Sequence, residues 1–220
     1  MDDSETVENL ALDASKLSVQ QLNDQLKKLP EKIATVKIVG CQSTDLLAPC
    51  LSQEYRVSIV GDLGDFCFWG VSKVEIEVQG NAGCGIAESM QSGSLIVYGD
   101  VGDAAGAFNR GGLLAVYGST GRRAGVGMCG GDLLVRGSIG SQGAMGMSAG
   151  TMLVLGSAGA MLGQRMSGGT IYIRGEIESM APHLEETRLK ESDRLRIGLL
   201  FLKAGIKSEV RDLRVFKSVT

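Results

Sequence analysis

The sequence is poor in the residues on which several kinds of chemistry depend. It has one histidine, His183, and five cysteines with no CxxC pair among them. A tight transition-metal site draws on clustered histidine and thiolate, so neither a zinc centre nor a disulfide frame is expected. Cys41, Cys50, Cys67, Cys84 and Cys129 read as reduced thiols. An excess of basic charge is missing too. A net charge of −3 and a pI near 5.3 argue against nucleic acid as the natural partner. No apolar run approaches the roughly 20 residues that cross a bilayer, so no membrane contact is expected. The opening Met1-Asp2-Asp3-Ser4-Glu5 lacks the basic and apolar blocks of a secretory signal. A cytoplasmic protein is the expectation. With only three prolines, the abundant glycine is not collagen-like, and interleaved Val, Ile and Leu exclude a flexible linker.

Glycine is what the chain has in excess: 32 residues, all but Gly40, Gly198 and Gly205 lying between 61 and 175. They fall in register. One class stands at Gly61, Gly80, Gly99, Gly118, Gly137, Gly156 and Gly175, always 19 residues apart. A second follows three residues later, at Gly64, Gly83, Gly102, Gly121, Gly140 and Gly159, and a third at Gly93, Gly112, Gly131, Gly150 and Gly169. A self-match without insertions is the signature of a repeat architecture.

Two columns say which kind. Two residues before each anchoring glycine stand Ile59, Val78, Val97, Val116, Val135, Val154 and Ile173. Four before it stand Val57, Ile76, Leu95, Leu114, Leu133, Met152 and Ile171. The positions between and after are mixed, as at Glu77, Gln79, Tyr98, Arg136 and Arg174. Period-two alternation with one wholly apolar face means a β-strand. Stacked at about 4.8 Å, seven such turns make a rod of roughly 34 Å. Met90, Met128, Met147 and Met166, with Val71 and Asn109 in the same column, suit its interior, because methionine fills irregular gaps. The small column Ala87, Gly106, Gly125, Ala144 and Gly163 reads as a place where side chains would strike the next coil. The glycines read as the φ > 0 corners of the turn. A unit of 19 does not divide into the hexapeptides of left-handed helices, so the expected fold is an all-β, right-handed β-helix of about seven 19-residue turns over 56–178.

The flanks differ in texture. Ser18 to Pro30 reads as a short amphipathic helix, with Ser18 as N-cap and Gln21 completing a capping box. Thr35 to Val39 reads as a strand. Glu191 to Gly205 reads as a second helix capped near Ser192, with Leu195, Leu199, Leu200 and Leu202 forming its face and Gly205 its stop. Val210 to Val219 reads as a docking tail. The chain divides into an N-terminal helix and cap (1–55), the solenoid (56–178), and a C-terminal helix and tail (179–220), the flanks serving as caps for open sheet ends.

No catalytic constellation emerges, and no catalytic, cofactor-binding or metal residue is assigned. Gly125-Val126-Gly127-Met128-Cys129-Gly130 has the form G-x-G-x-x-G, but it leads into a strand instead of a helix. His183, near Glu185 and Glu186, reads as a surface or capping residue rather than a general base. Cys84 and Cys129 read as buried and inert. Arg122, Arg123, Asp100 and Asp103 read as solvated corners.

The units Gly80-Asn81-Ala82-Gly83 to Met90-Gln91-Ser92-Gly93, Gly118-Ser119-Thr120-Gly121 to Gly131, and Gly156-Ser157-Ala158-Gly159 to Gly169 resemble the GXGXG family. That family comprises the C-terminal domain of the glutamate synthase large subunit and stand-alone relatives. The stretch Ile86-Ala87-Glu88-Ser89-Met90 looks most like the stand-alone subunit of methylamine–glutamate N-methyltransferase (N-methylglutamate synthase). The resemblance implies a right-handed β-helix without catalytic residues of its own. It implies a scaffold in a hetero-oligomer with a glutamine amidotransferase-like subunit and an FMN-binding glutamate synthase-like subunit, with FMN and iron–sulfur clusters on those partners. The GXGXG scaffold of formylmethanofuran dehydrogenase is the alternative relative, and a stand-alone glutamate synthase domain another. The region Cys41 to Pro49 departs from the expected pattern before the first coil.

Overall fold

The computed structural model describes residues 8–30 and 33–219; the acidic opening segment lies outside them. Among the described residues the chain forms one eleven-stranded sheet wound into a β-solenoid, with two short helices. Seven regular turns carry β3 (Arg56–Leu63), β4 (Glu75–Gln79), β5 (Ser94–Val97), β6 (Leu113–Val116), β7 (Cys129–Val135), β8 (Ala149–Val154) and β9 (Thr170–Ile173). Each strand pairs in parallel with the next at a register shift of 19, so that Ile59 lies beside Val78, and Val78 beside Val97. Both apolar columns are buried along their whole length, and Met90, Met128, Met147 and Met166 are buried with them. Burial of this one continuous interior is the main stabilising term.

The sheet continues past the regular repeat at both ends. β2 (Ile33–Thr44) pairs with β3 at a shift of 21, Val36 beside Val57, and absorbs the extra residues as irregularities between Val39 and Cys41 and between Gln42 and Thr44. Those irregularities are why Cys41 to Pro49 departs from the repeat while still forming a coil. β1 (Glu8–Asp13) pairs with β2 in turn, Leu10 beside Val36. Between them, helix α1 (Val19–Lys27) replaces most of a coil. Ser18 caps it and the box with Gln21 is closed in both directions, as the sequence predicts. Its buried Leu22 and Leu26 join the solenoid core, and Asn23 holds the next coil by accepting from the Ala48 N–H at 2.6 Å. At the far end, β11 (Arg214–Ser218) pairs antiparallel with β9, and β10 (Leu184–Thr187) pairs antiparallel with β11. The reversal ends the parallel ladder, while buried Leu184 and Phe216 fill the end of the interior.

Opposite the strands the backbone does something the sequence does not announce. Five, seven and nine residues after each of the first six anchoring glycines, φ is positive, as at Ala104, Gly106 and Phe108. Left- and right-handed residues alternate, so successive amides point to opposite neighbours. The Ala104 N–H donates forward to the Arg122 carbonyl at 2.8 Å, Gly106 back to Ile86 at 3.0 Å, and Phe108 forward to Val126 at 2.8 Å. Many of these positions are not glycine; Leu46, Phe66, Arg123, Gln142 and Met161 adopt the same conformation. Each such L-residue costs about 1–2 kcal/mol, which the inter-coil hydrogen bonds offset.

Two glycine expectations are therefore corrected. The anchoring column from Gly80 to Gly175 does not have positive φ; it is glycine because the coils touch there. A Cβ at Gly156 or Gly175 would lie 2.5 Å from the carbonyl oxygen of the preceding anchor. The small column Ala87 to Gly163 faces the interior, not the next coil: space at Gly125 is limited by Met128 and Met152, and its first member, Phe68, is large and fully buried.

Helix α2 (Glu191–Lys203) lies on the outer surface of the sheet. Ile197, Leu200, Phe201 and Ala204 pack on Leu113, Ala115, Leu134, Leu153 and Tyr172, the outward residues of β6 to β9, in a second core. The predicted face is corrected: only Leu200 of the four leucines is buried, and Leu195, Leu199 and Leu202 face outward. The cap is Lys190, not Ser192; its N–H donates to Asp193 at 2.8 Å. Gly205, at φ +67°, follows the helix as its stop.

Candidate functional site

Polar side chains that resemble reactive groups in the sequence are placed, in the folded chain, where they stack one coil on the next. One residue after the anchor, Asp62, Asn81, Asp100, Ser119, Ser138 and Ser157 form a ladder. Asp62 accepts from the Asn81 N–H at 2.7 Å, Asn81 from Asp100 at 2.9 Å, and Asp100 from Ser119 at 2.7 Å. Serines continue it: Ser119 accepts from Ser138, Ser138 from Ser157, and Ser157 from Glu176. A second ladder joins Asp45 to the Asp65 N–H, Asp65 to Cys84, and Asp103 to Arg122, each at 2.7 Å. Asp100 and Asp103 are thus stacking groups, beyond the solvated corners expected of them. The bonds accepted by aspartate are charge-assisted, the stronger kind, and all but the one from Asp45 repeat the 19-residue register along the rod.

The other singled-out residues are scattered. Gly125 and Gly127 of the G-x-G-x-x-G segment sit on the alternating ribbon, with Gly127 beneath the Phe108 ring, and Gly130 lies inside β7. No helix follows, so the amide cluster that cradles a pyrophosphate is not formed there. Cys41 and Cys67 are buried; burial raises both thiols, Cys67 to about 12. Cys129 is exposed and Cys84 half-buried, which corrects their expected burial. Among the described residues no group of three His, Cys, Asp or Glu comes together as a metal set.

His183 precedes β10, and its carbonyl accepts from the Val219 N–H at 3.1 Å. Its ring lines a cavity of about 320 Å³ with Met161, Gln164, Arg165, Ser179 and Met180. Neither Glu185 nor Glu186 reaches that cavity, so the imidazole has no carboxylate there to orient it as a base. A larger, open depression of about 570 Å³ lies at the opposite end, lined by Tyr55, Arg56, Lys73 and Glu75. Its charges are matched among themselves, Arg56 with Glu75 at 2.6 Å and Lys73 with Glu54 at 3.5 Å. No helix of the described residues is long and apolar enough to cross a membrane.

α2 is attached to the sheet through polar contacts as well as apolar ones. The Tyr172 hydroxyl donates to Asp193 at 2.8 Å, and Arg196 pairs with Asp132, a carboxylate buried on the outer face of β7. Burial works against ionisation of Asp193, but the Lys190 amide and the Tyr172 hydroxyl hold its carboxyl below the usual range. Burial and the nearby Asp193 push the Tyr172 phenol up. The Tyr117 hydroxyl donates to the Ala204 carbonyl at 2.7 Å, its ring tilted against Tyr98 and beneath the Arg136 guanidinium. Sequence reasoning missed this site, although its signal is present in the column three before the anchor. That column changes from Ser58 and Glu77 to Ile96, Ala115, Leu134, Leu153 and Tyr172.

Fold and surface together define a stacked β-solenoid carrying a helix docked on its outer face. The chain belongs to the GXGXG motif family, whose model matches residues 48–199, from the irregular coil after β2 into α2. No curated protein matches the chain.

Proposed function

We propose that this chain is a structural subunit of a glutamate synthase-like complex, bracing a glutamine amidotransferase-like subunit against an FMN-binding, iron–sulfur synthase-like subunit. The reading assigns it no catalytic, cofactor-binding or metal-binding residue, and puts flavin and clusters on the partners. The complex we favour is N-methylglutamate synthase, which forms N-methylglutamate and ammonia from methylamine and L-glutamate in the cytoplasm. The observation that carries the reading is the family match over most of the chain.

Physical reasons support a bracing role. Nine parallel strands from β1 to β9 span about 38 Å at the usual strand spacing, a length suited to separating two domains. Interior side chains interlock from coil to coil and side-chain ladders fix the register, so the rod resists bending. The test is a steady-state assay with methylamine and L-glutamate. The expected result is no turnover by the chain alone, and turnover once both partner subunits are co-expressed with it. Turnover by the isolated chain, or a molybdenum or tungsten pterin in place of flavin in the native complex, would rule the reading out.

A further inference from the structure

We infer that the cavity beyond the last regular coil, between Arg165 and His183, is a binding site for a small carboxylate carried on an apolar body. It arises from the way the alternating ribbon ends. Nine residues after each of the first five anchors, from Gly70 to Gly146, the amide donates forward to the carbonyl eighteen residues on, every bond being 2.8 Å. The sixth such amide is that of Arg165, at φ +58°. Its counterpart is the His183 carbonyl, which accepts from the Val219 N–H at 3.1 Å instead. Pro182 stands seven after Gly175, where every earlier coil has positive φ, and proline cannot adopt that conformation. The ribbon therefore stops, and among the described residues the Arg165 amide donates to no acceptor. The other forward amide of this coil, that of Met161, is met by the Ser179 hydroxyl oxygen at 3.0 Å.

The ligand's chemistry follows from the groups around the gap. An oxygen is wanted where the next coil's carbonyl is missing, and amides in alternating left- and right-handed conformation form concavities that hold anions. Arg165 lines the same cavity and, among the described residues, has no carboxylate within ion-pair distance. Its planar guanidinium matches a carboxylate with two parallel bonds. Ser179, which accepts from Met161, keeps its own hydroxyl proton to donate. The His183 Nε2 is buried without a hydrogen-bond partner among the described residues, and a carboxylate selects the protonated form that donates. No Asp or Glu lines the cavity, so a cation finds no counter-charge there. Met161, Met180 and Pro182 supply apolar wall, and thioether side chains adapt to the shape they meet. A bare anion would leave that wall unused. At about 320 Å³ the cavity suits a small molecule.

This inference goes beyond the scaffold reading and does not rest on it, so its test uses this chain alone. Hexanoate is titrated into the isotope-labelled full chain and followed by amide NMR. The Arg165 amide resonance should shift saturably, with a dissociation constant in the millimolar range expected of so small a ligand. Hexanol has the body without the charge, and inorganic phosphate the charge without the body. Each should bind at least about tenfold more weakly than hexanoate. Arg165→Gln should weaken hexanoate by a similar factor and leave the thermal midpoint unchanged, because the side chain is exposed and unpaired. Met180→Ser should weaken hexanoate more than acetate. Four results would each overturn the inference. These are no saturable shift at Arg165, equal binding of hexanoate by Arg165→Gln, hexanol or phosphate binding as tightly as hexanoate, and tighter binding of a pentapeptide ending in a leucine carboxylate, which would assign the site to a chain terminus.

Discussion

The outer face of the sheet has two halves that share an interior and a register and differ in what they present outward. Under β6 to β9 it presents Leu113, Ala115, Leu134, Leu153 and Tyr172, and α2 covers it. Across β3 and β4 it presents Arg56, Ser58, Glu75 and Glu77, an exposed polar surface with one ion pair. The inward columns do not change between the halves: Val57 and Ile76 do in the first what Leu133 and Met152 do in the second. Interior periodicity therefore sets the coil, while the outward residues set what the coil carries. Both halves pair in parallel at the same register of 19, so substitutions at matched columns isolate the contribution of the cover.

The largest contrast should come from the column three before the anchor. Leu134→Asp buries an unpaired carboxylate beneath α2 and is expected to cost about 3 kcal/mol or more by urea denaturation. Ser58→Asp, in the same column on the open half, should change stability by no more than about 0.5 kcal/mol. Equal effects would erase the distinction between the halves. Next, Gly80→Ala and Gly137→Ala should each cost about 2 kcal/mol or more, because the anchoring column meets backbone in both halves. A large difference between these two glycines would show that the coils are not equivalent inside.

Ion pairs sharpen the comparison on a smaller scale. Arg196→Ala leaves Asp132 buried without its partner and should cost about 1–3 kcal/mol. Arg56→Ala removes an exposed pair and should cost about 0–1 kcal/mol. The smallest effect should be that of pH. Asp193 has a lowered pKa in the folded chain, so its contribution is present above the unfolded value near 3.9 and lost as pH falls through the folded one. Protection of the α2 amides relative to their intrinsic exchange rate should fall below about pH 4 while the solenoid amides stay protected. Loss of protection in both together would tie α2 to the rod as a single unit.

Most of the fold is legible because its physics is periodic. Seven anchors, two apolar columns and the methionines read directly onto a stacked interior, and Ser18 with Gln21 marks α1. What escapes is aperiodic or two-sided. β1 sits 26 residues before its partner positions in β2, because α1 is inserted in that coil. The buried face of α2 is misassigned from sequence because leucines occupy both of its sides, and hydrophobicity alone does not say which side meets the sheet. The ribbon of alternating φ stays hidden because its residues range from glycine to phenylalanine and arginine. For the candidate site, the acidic and serine ladders are visible as a column but their bonds to the next coil are not.

The central claim is that this chain joins other subunits and does not act on a substrate itself. The most direct measurement is native mass spectrometry of the three co-expressed chains, with and without this one, alongside a flavin absorption spectrum. The account predicts a flavin-containing assembly holding all three chains, which falls apart into separate partners when this chain is omitted. It would be contradicted by the two partners assembling and turning over substrate without it, or by this chain remaining monomeric in their presence.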